Sequence, residues 1–457
     1  MREIAAQPIC PERKIPQRGG SQRGGSQRGG SQRGGSQRGG SQRGGSQRGG
    51  SQYRGAELDV RLAGTARGLA VAALVAVDAG ERANEILPRL LAASSLDERD
   101  RSFATELVYG AVRMQRACDW LIARFARGEL EPIVRAAART GCYQLAFMRV
   151  PPYAAVSEAV DLCPRRARPL LNAVLRRVGE LVAAGPVQWP DAGTRLSYPD
   201  WVLRRLSADL GRERALAALA KMDEAAVVSK RDDGYVQDPG SQAVGEQVAR
   251  WADERVGTAP GGATGCGRGR SVFDMCAAPG GKATLLAAHA PFVVAGDLSA
   301  ARSRVVAANA ARLGLSNLGP VVADGAAPPF RPGSFGAVLV DAPCSGLGVL
   351  RRRPDARWRV RPEDVARLAG LQRRLLAAAV PLVAPGGLIA YSVCTLTKEE
   401  TSGVGQWLAA RLVPGWEILP PPGPPWEPLG PGALLLPQSA GTDGMYLIGL
   451  RRRPSGA

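Results

Sequence analysis

Three apolar runs that each close on an aspartate constrain this chain more than any other feature. They are Phe292–Asp297, Leu318–Asp324 and Phe335–Asp341, and helical patterns such as Ala300–Leu313 lie between them. Strands alternating with helices predict a parallel, doubly wound α/β sheet, in which ligands bind beyond the carboxyl ends of the strands. A fourth run, Ser271-Val272-Phe273, reaches Asp274 and turns at Cys276-Ala277-Ala278-Pro279-Gly280-Gly281 into an Ala/Leu-rich helix from Lys282 to about Ala290. A strand, a glycine turn and a helix start aim free backbone N–H groups at a ligand. The spacing is neither that of a dinucleotide loop nor that of an ATP loop. Asp274, Asp297, Asp324 and Asp341 are expected to converge on one crevice. Asp297 follows Gly280 by 17 residues, close to the offset of about 20 at which a carboxylate holds ribose hydroxyls. One such aspartate is often only a helix cap; a succession of them marks a site.

The 457 residues suffice for two or three domains, and 45% hydrophobic content supports a sizeable core. The formal net charge of +19 calls for a polyanionic partner, most simply nucleic acid. No apolar run is long enough to cross a membrane, and the N-terminus lacks the apolar stretch of a secretion signal. Eight scattered cysteines without a C-x-x-C pair suit a reducing cytoplasm and speak against a metal site. A cytoplasmic monomer without membrane attachment is expected.

Residues 1–57 form a basic tail in which Gln-Arg-Gly-Gly-Ser repeats seven times over Gln17–Ser51, a stretch with no apolar residue to build a core; disorder is expected there. The tail reads equally as a loose phosphate-binding arm and as a repeat expansion without a role. Residues 58–185 show helical periodicity throughout and predict an all-α bundle of five to seven helices. Its Arg165, Arg166, Arg168, Arg176 and Arg177 are candidate phosphate contacts, or a solvated helix face. Residues 186–235 read as a helical connector, with Trp201 packing inward, and residues 236–453 as the catalytic α/β domain.

Within that last domain Cys276-Ala-Ala-Pro-Gly-Gly-Lys282, Asp341-Ala-Pro-Cys-Ser-Gly346, Tyr391-Ser-Val-Cys-Thr395 and Gly441-Thr-Asp-Gly-Met-Tyr446 occur in order. Together they resemble the S-adenosylmethionine-dependent RNA cytosine-carbon-5 methyltransferases. The segments around Asp100–Arg113, Val156–Val160 and Asn172–Arg177 resemble the NusB RNA-binding domain. A NusB-like domain ahead of such a catalytic domain is similar to the bacterial 16S rRNA cytosine methyltransferases of the RsmB/Sun (Fmu) type. The resemblance implies an all-α NusB-like domain joined to a Rossmann-like class I methyltransferase, with S-adenosylmethionine as cofactor and RNA as partner. It departs in one place. The family carries an α/β substrate-side subdomain before the cofactor motifs, whereas here only Asp223–Gly234 fills that position, too short for a mixed sheet.

Two cysteines are expected in the crevice, Cys344 after the fourth strand and Cys394 after the fifth. A Cys–His hydrolase would need an imidazole, and the one histidine, His289, lies on the helix after the glycine turn. Pyrimidine methylation needs no histidine. The resemblance implies Cys394 as the nucleophile on cytosine carbon 6 and Cys344 in product release. It implies Asp341 on the base edge near nitrogen 3, Pro343 in the turn, and Lys282 beside Asp341 and the thiolate. The cofactor would lie on Cys276, Ala277, Ala278, Pro279, Gly280, Gly281 and Lys282, with Asp297 on the ribose, Asp324 near the adenine and Asp341 at the reacting end. For Cys276 itself a plain core thiol is the expectation. Arg351, Arg352, Arg353, Arg357, Arg359 and Arg361 with Trp358 suit phosphate contact plus base stacking, the alternative being a solvated loop with Trp358 packed on the domain. An RNA-binding antitermination-type factor with an inactive scaffold, a tRNA cytosine methyltransferase and a DNA cytosine methyltransferase stand as alternatives; the Cys394 motif favours RNA over DNA.

Overall fold

The computed structural model describes residues 64–254 and 271–453. The Gln-Arg-Gly-Gly-Ser tail, the start of the first expected helix and the Gly257–Arg270 loop lie outside the described residues.

Seven α-helices between Ala66 and Ala183 form the N-terminal bundle. Small residues let its central helices approach closely. A Cβ on Gly110 would fall 2.1 Å from the Tyr143 ring, and one on Gly141 would fall 2.6 Å from Leu175. Leu69, Leu107, Leu121, Leu171 and Leu175 are almost fully buried at this centre. Thr65 and Asp97 cap two of the helices by accepting from Gly68 N–H and Asp100 N–H.

The connector contributes helices Asp200–Leu210 and Arg212–Lys221. Their inner faces, with Val202, Leu206, Ala218 and Leu219, share one hydrophobic core with the catalytic sheet, and Trp201 packs against that core. Between Lys221 and the next helix, Pro239–Asp253, the structure holds one isolated antiparallel bridge, Lys230–Val236.

Among the described residues the catalytic domain has nine strands: β1 Val272–Asp274, β2 Val293–Asp297, β3 Leu318–Val322, β4 Phe335–Asp341, β5 Val383–Val393, β6 Trp416–Ile418, β7 Glu427–Leu429, β8 Gly432–Leu435 and β9 Met445–Arg452. The order is β3-β2-β1-β4-β5-β9-β8-β7, with β6 on β9. The expected parallel sheet holds for β1–β5. The four C-terminal strands pair antiparallel and make the sheet mixed. The proline-rich residues 419–426 run between β6 and β7. The glycine-turn helix is Gly281–Leu286, shorter than expected.

Chain direction reverses its walk across the sheet between β1 and β4, so the crevice opens at their carboxyl ends. Phe273 on β1, Phe330 and Phe335 on β4 pack with ring centroids 5.0–5.1 Å apart and anchor the floor under that point.

Candidate active site

The glycine turn after β1 is shaped by backbone conformation and held by its carbonyls. Gly280 has φ +109°, open to glycine and strained for any L side chain, and a Cβ there would meet Val306 at 3.4 Å. Ala277 N–H donates to Gly296 on β2 at 2.8 Å. Arg231 donates to the Gly281 carbonyl at 2.7 Å and to Thr284 Oγ1 at 3.0 Å. Asn309 donates to the Pro279 carbonyl, and Arg302 to the Ala278 carbonyl, each at 3.0 Å. With the carbonyls engaged from outside, the turn is rigid before any ligand arrives.

The four strand-end aspartates differ in environment. Asp274 is buried and neither carboxylate oxygen has a hydrogen-bond partner. Burial first, and the charge of Asp341 second, push its pKa up to about 7, against the pull of Lys282. Asp297 is buried, accepts from Ser299 N–H at 2.9 Å and pairs with Arg302 at 3.3 Å. Asp324 is exposed and accepts from Ala326 N–H. Asp341 is partly exposed and accepts from Lys282 Nζ at 2.8 Å. The Lys282 ammonium is buried, which disfavours its charge; Asp341, Cys394 and Asp274 outweigh that and hold its pKa above the ordinary value.

Cys344 and Cys394 come from separate turns, after β4 and β5, yet their sulfurs lie 3.2 Å apart. The hydrogen bond from Cys344 lowers the Cys394 pKa, with Lys282 and Arg353 adding to it against burial and Asp341. The same hydrogen bond, then burial, raises Cys344. Either sulfur can donate to the other, and the cations Lys282 and Arg353 favour the charge on Cys394. Cys276 is raised by burial and the surrounding carboxylates, as expected of a core thiol. His289 is exposed and lines a cleft with Glu246, Ala249, Arg250 and Asp253, away from the thiols.

The arginine loop after Cys344 is a correction. Arg351 and Arg357 are buried. Arg357 pairs with Asp223 at 2.9 Å, stacks on Tyr198 at 3.8 Å and donates to the carbonyls of Arg113 and Ser197. Trp358 donates to Val112 at 2.8 Å and packs on the helical bundle. These side chains join domains; Arg352, Arg353, Arg359 and Arg361 are exposed, with Arg352 paired to Asp443 and Arg359 to Asp355. On the bundle, Arg166 pairs with Glu131, and Arg168 with Asp161 and the Cys163 carbonyl. Arg165, Arg176 and Arg177 are exposed.

Sequence reasoning missed the carboxylate behind the thiols. Glu400 is fully buried and accepts from Ser345 N–H, Ser345 Oγ, Gln372 Nε2 and Thr397 Oγ1 at 2.6–3.0 Å. Nothing in the run Lys398-Glu399-Glu400 distinguishes it from a solvated pair.

The parallel sheet, the glycine turn at its switch point and the antiparallel extension define a class I, S-adenosylmethionine-dependent methyltransferase, here carried behind a helical bundle. The crystal structure of PH0851 has the same fold, with a TM-score of 0.65 at 20% identity over 85% of this chain and 99% of that one. Residues 267–451 match the family model described as 16S rRNA methyltransferase RsmB/F, and residues 64–180 match the NusB family. Ribosomal RNA small subunit methyltransferase B of Thermus thermophilus is 36% identical over 421 residues, covering 85% of this chain and 98% of that protein. The protein of the same name from Erwinia tasmaniensis is 30% identical, covering 81% and 94%. The chain belongs to the RsmB/F family of methyltransferases.

Proposed function

We propose that this protein methylates carbon 5 of a cytosine in small-subunit rRNA through a covalent adduct on Cys394. The observation that carries the reading is the pair of sulfurs 3.2 Å apart, one lowered and one raised in pKa, beside the Lys282–Asp341 ion pair. A methyltransfer to an unactivated aromatic carbon needs a nucleophile to make that carbon electron-rich.

The cofactor, when bound, supplies an electrophilic methyl group. The residues present fit it. The turn Cys276–Lys282 has its carbonyls tied back, Asp297 is the strand-end carboxylate that would take ribose hydroxyls, and Asp324 is exposed. Cys394 thiolate bonds to cytosine carbon 6, and the ring electrons move toward carbon 5 while Asp341 and Lys282 support the proton and charge at nitrogen 3. Carbon 5 would take the methyl that the bound cofactor supplies, the methyl–sulfonium bond breaking to leave a neutral thioether. A base then removes the carbon 5 proton, carbon 6 releases Cys394 as thiolate, and Cys344 assists that release. The target base must be unstacked to reach sulfurs at the bottom of a crevice. Arg353, Arg359 and Arg361 on one side and Arg165, Arg176 and Arg177 on the bundle supply exposed positive charge for an RNA backbone. The protein acts as a monomer in the cytoplasm on this reading.

The test is transfer of labelled methyl to unmethylated small-subunit rRNA by wild type, Cys394→Ala and Cys344→Ala. Loss of product in Cys394→Ala and a stalled RNA adduct in Cys344→Ala are expected. Transfer to tRNA alone, which the short Asp223–Gly234 segment would favour, moves the target and keeps the chemistry. Tight rRNA binding without transfer to any RNA overturns the enzyme reading.

A further inference from the structure

Two thiols at 3.2 Å are chemically near-equivalent unless something distinguishes them. We infer that the buried carboxylate of Glu400 is the positioning residue that decides which of them carries the charge, keeping Cys344 a thiol so that Cys394 becomes the nucleophile. The inference rests on the proposed role of Cys394 and adds the device that selects it.

Glu400 sits behind the Cys344 turn. Its Oε1 accepts from Ser345 N–H at 2.9 Å, and Ser345 is the residue after Cys344. Its Oε2 accepts from Ser345 Oγ at 2.6 Å and from Thr397 Oγ1 at 2.9 Å. Gln372 bridges Glu400 Oε1 at 3.0 Å and the Pro343 carbonyl at 2.9 Å, gripping the residue before Cys344. The amide is oriented by Tyr391, which donates to Gln372 Oε1 at 2.9 Å. The backbone N–H and the amide can only donate, and two hydroxyls complete the set, so the site is built for an anion rather than a neutral acid. Glu400 has no ion-pair partner among the described residues, so its field reaches its neighbours without neutralisation.

The charges around the thiols are arranged with opposite sense on the two sides. For Cys344 the hydrogen bond to Cys394 and burial come first, and the charge of Glu400 also opposes its ionisation. Cys394 feels Lys282 and Arg353, which favour its ionisation, and Asp341, which opposes it. Glu400 also ties the two turns together, because Thr395, the residue after Cys394, reaches Ser345 Oγ at 2.8 Å and Glu400 Oε2 at 3.3 Å. A buried carboxylate contacting neither cofactor nor base is costly to keep; biasing a thiol pair is a use for it.

The test is the partition of iodoacetamide between the two sulfurs, mapped by peptide mass spectrometry from pH 6 to 10 on the full-length protein without RNA. In wild type Cys394 reacts first. Glu400→Gln preserves size and most hydrogen bonds, because the hydroxyls can turn to accept from the new amide. It should cut the preference for Cys394 by about tenfold, the effect of one pKa unit, with the alkylation midpoint of Cys344 moving down. Glu400→Asp keeps the charge and should keep the preference while lowering the melting temperature. An unchanged partition in folded Glu400→Gln overturns the inference, as does an equal loss in Glu400→Asp, which would make the effect one of packing. A second measurement does not depend on any Glu400 variant: in Cys394→Ala, Cys344 alone should titrate above the ordinary thiol value, and a midpoint at or below it overturns the inference. Neither readout involves methyl transfer, so failure here is separable from failure of Cys394 as nucleophile, which the Cys394→Ala transfer assay reads.

Discussion

The indole N–H of Trp358 donates to the backbone carbonyl of Val112 at 2.8 Å, across the boundary between the catalytic domain and the helical bundle. The preceding residue, Arg357, also reaches the bundle through the Arg113 carbonyl and is held to the connector by Asp223, Tyr198 and the Ser197 carbonyl. Both lie on the short helix Ala356–Arg359 that follows the Cys344 turn, so the bundle holds that segment in place. Arg357→Ala leaves the Asp223 carboxylate buried without its cation and should cost about 3–5 kcal/mol. Trp358→Phe removes one hydrogen bond and should cost about 1 kcal/mol. Denaturant melts compare the two; equal effects would sink the assignment of Arg357 as the stronger tie.

Lys282→Met keeps the length of the side chain and removes the cation between Asp341 and Cys394. Methyl transfer should fall by about a hundredfold or more. The sign for pH follows from the lowered thiol: Cys394 is active as thiolate above its pKa, and loss of Lys282 raises that pKa. The acid limb of kcat/KM against pH should therefore move to higher pH. A limb that stays in place would place Lys282 outside thiolate stabilisation.

Gly280→Ala should weaken cofactor binding by about tenfold, because an L residue pays roughly 1–2 kcal/mol at this left-handed φ and the turn will relax away from it. Gly128, at φ +83° with nothing within 4 Å of an added Cβ, is the control. Gly128→Ala carries a similar backbone cost in the bundle and should leave titration calorimetry with the cofactor unchanged.

Asp274 is buried without a partner and its pKa is pushed up to about 7 by burial and by Asp341. A carboxyl raised on folding stabilises the protein in its protonated form. That contribution is complete below its unfolded value, about pH 4, and is lost as pH rises through 7. Asp274→Asn removes the titration. Relative to wild type the variant should gain stability between pH 5 and pH 7.5, by an amount on the order of 2–4 kcal/mol. Parallel stability curves for the two proteins over that window would contradict it.

The parts of this molecule visible in its sequence are those where one run of residues does one job. β4 spans Phe335–Asp341, the bounds of its apolar run, because a strand buried on both faces has no alternation to blur its ends. The glycine turn and the two cysteine turns were legible for the same reason: each motif is local. β6, β7 and β8 were not, since strands of three or four residues flanking Pro420–Pro425 carry no period and the prolines dominate. Arg357 and Glu400 escaped because charge in a sequence reads as solvent exposure. Their burial is decided by Asp223 and Tyr198 in one case and by Ser345 and Gln372 in the other, partners 28 to 159 residues away. The arginine loop was misread on the same ground.

The connector helices bury Val202, Leu206, Ala218 and Leu219 in the core of the catalytic sheet. The smallest piece of this chain able to fold and carry the methyltransferase chemistry therefore begins near Leu196, some eighty residues before the cofactor turn. A gene fragment cut at the first motif would yield a sheet with one greasy face bare, prone to clump before it could bind anything. Recombination that exchanges catalytic halves between relatives has to carry these helices with the sheet.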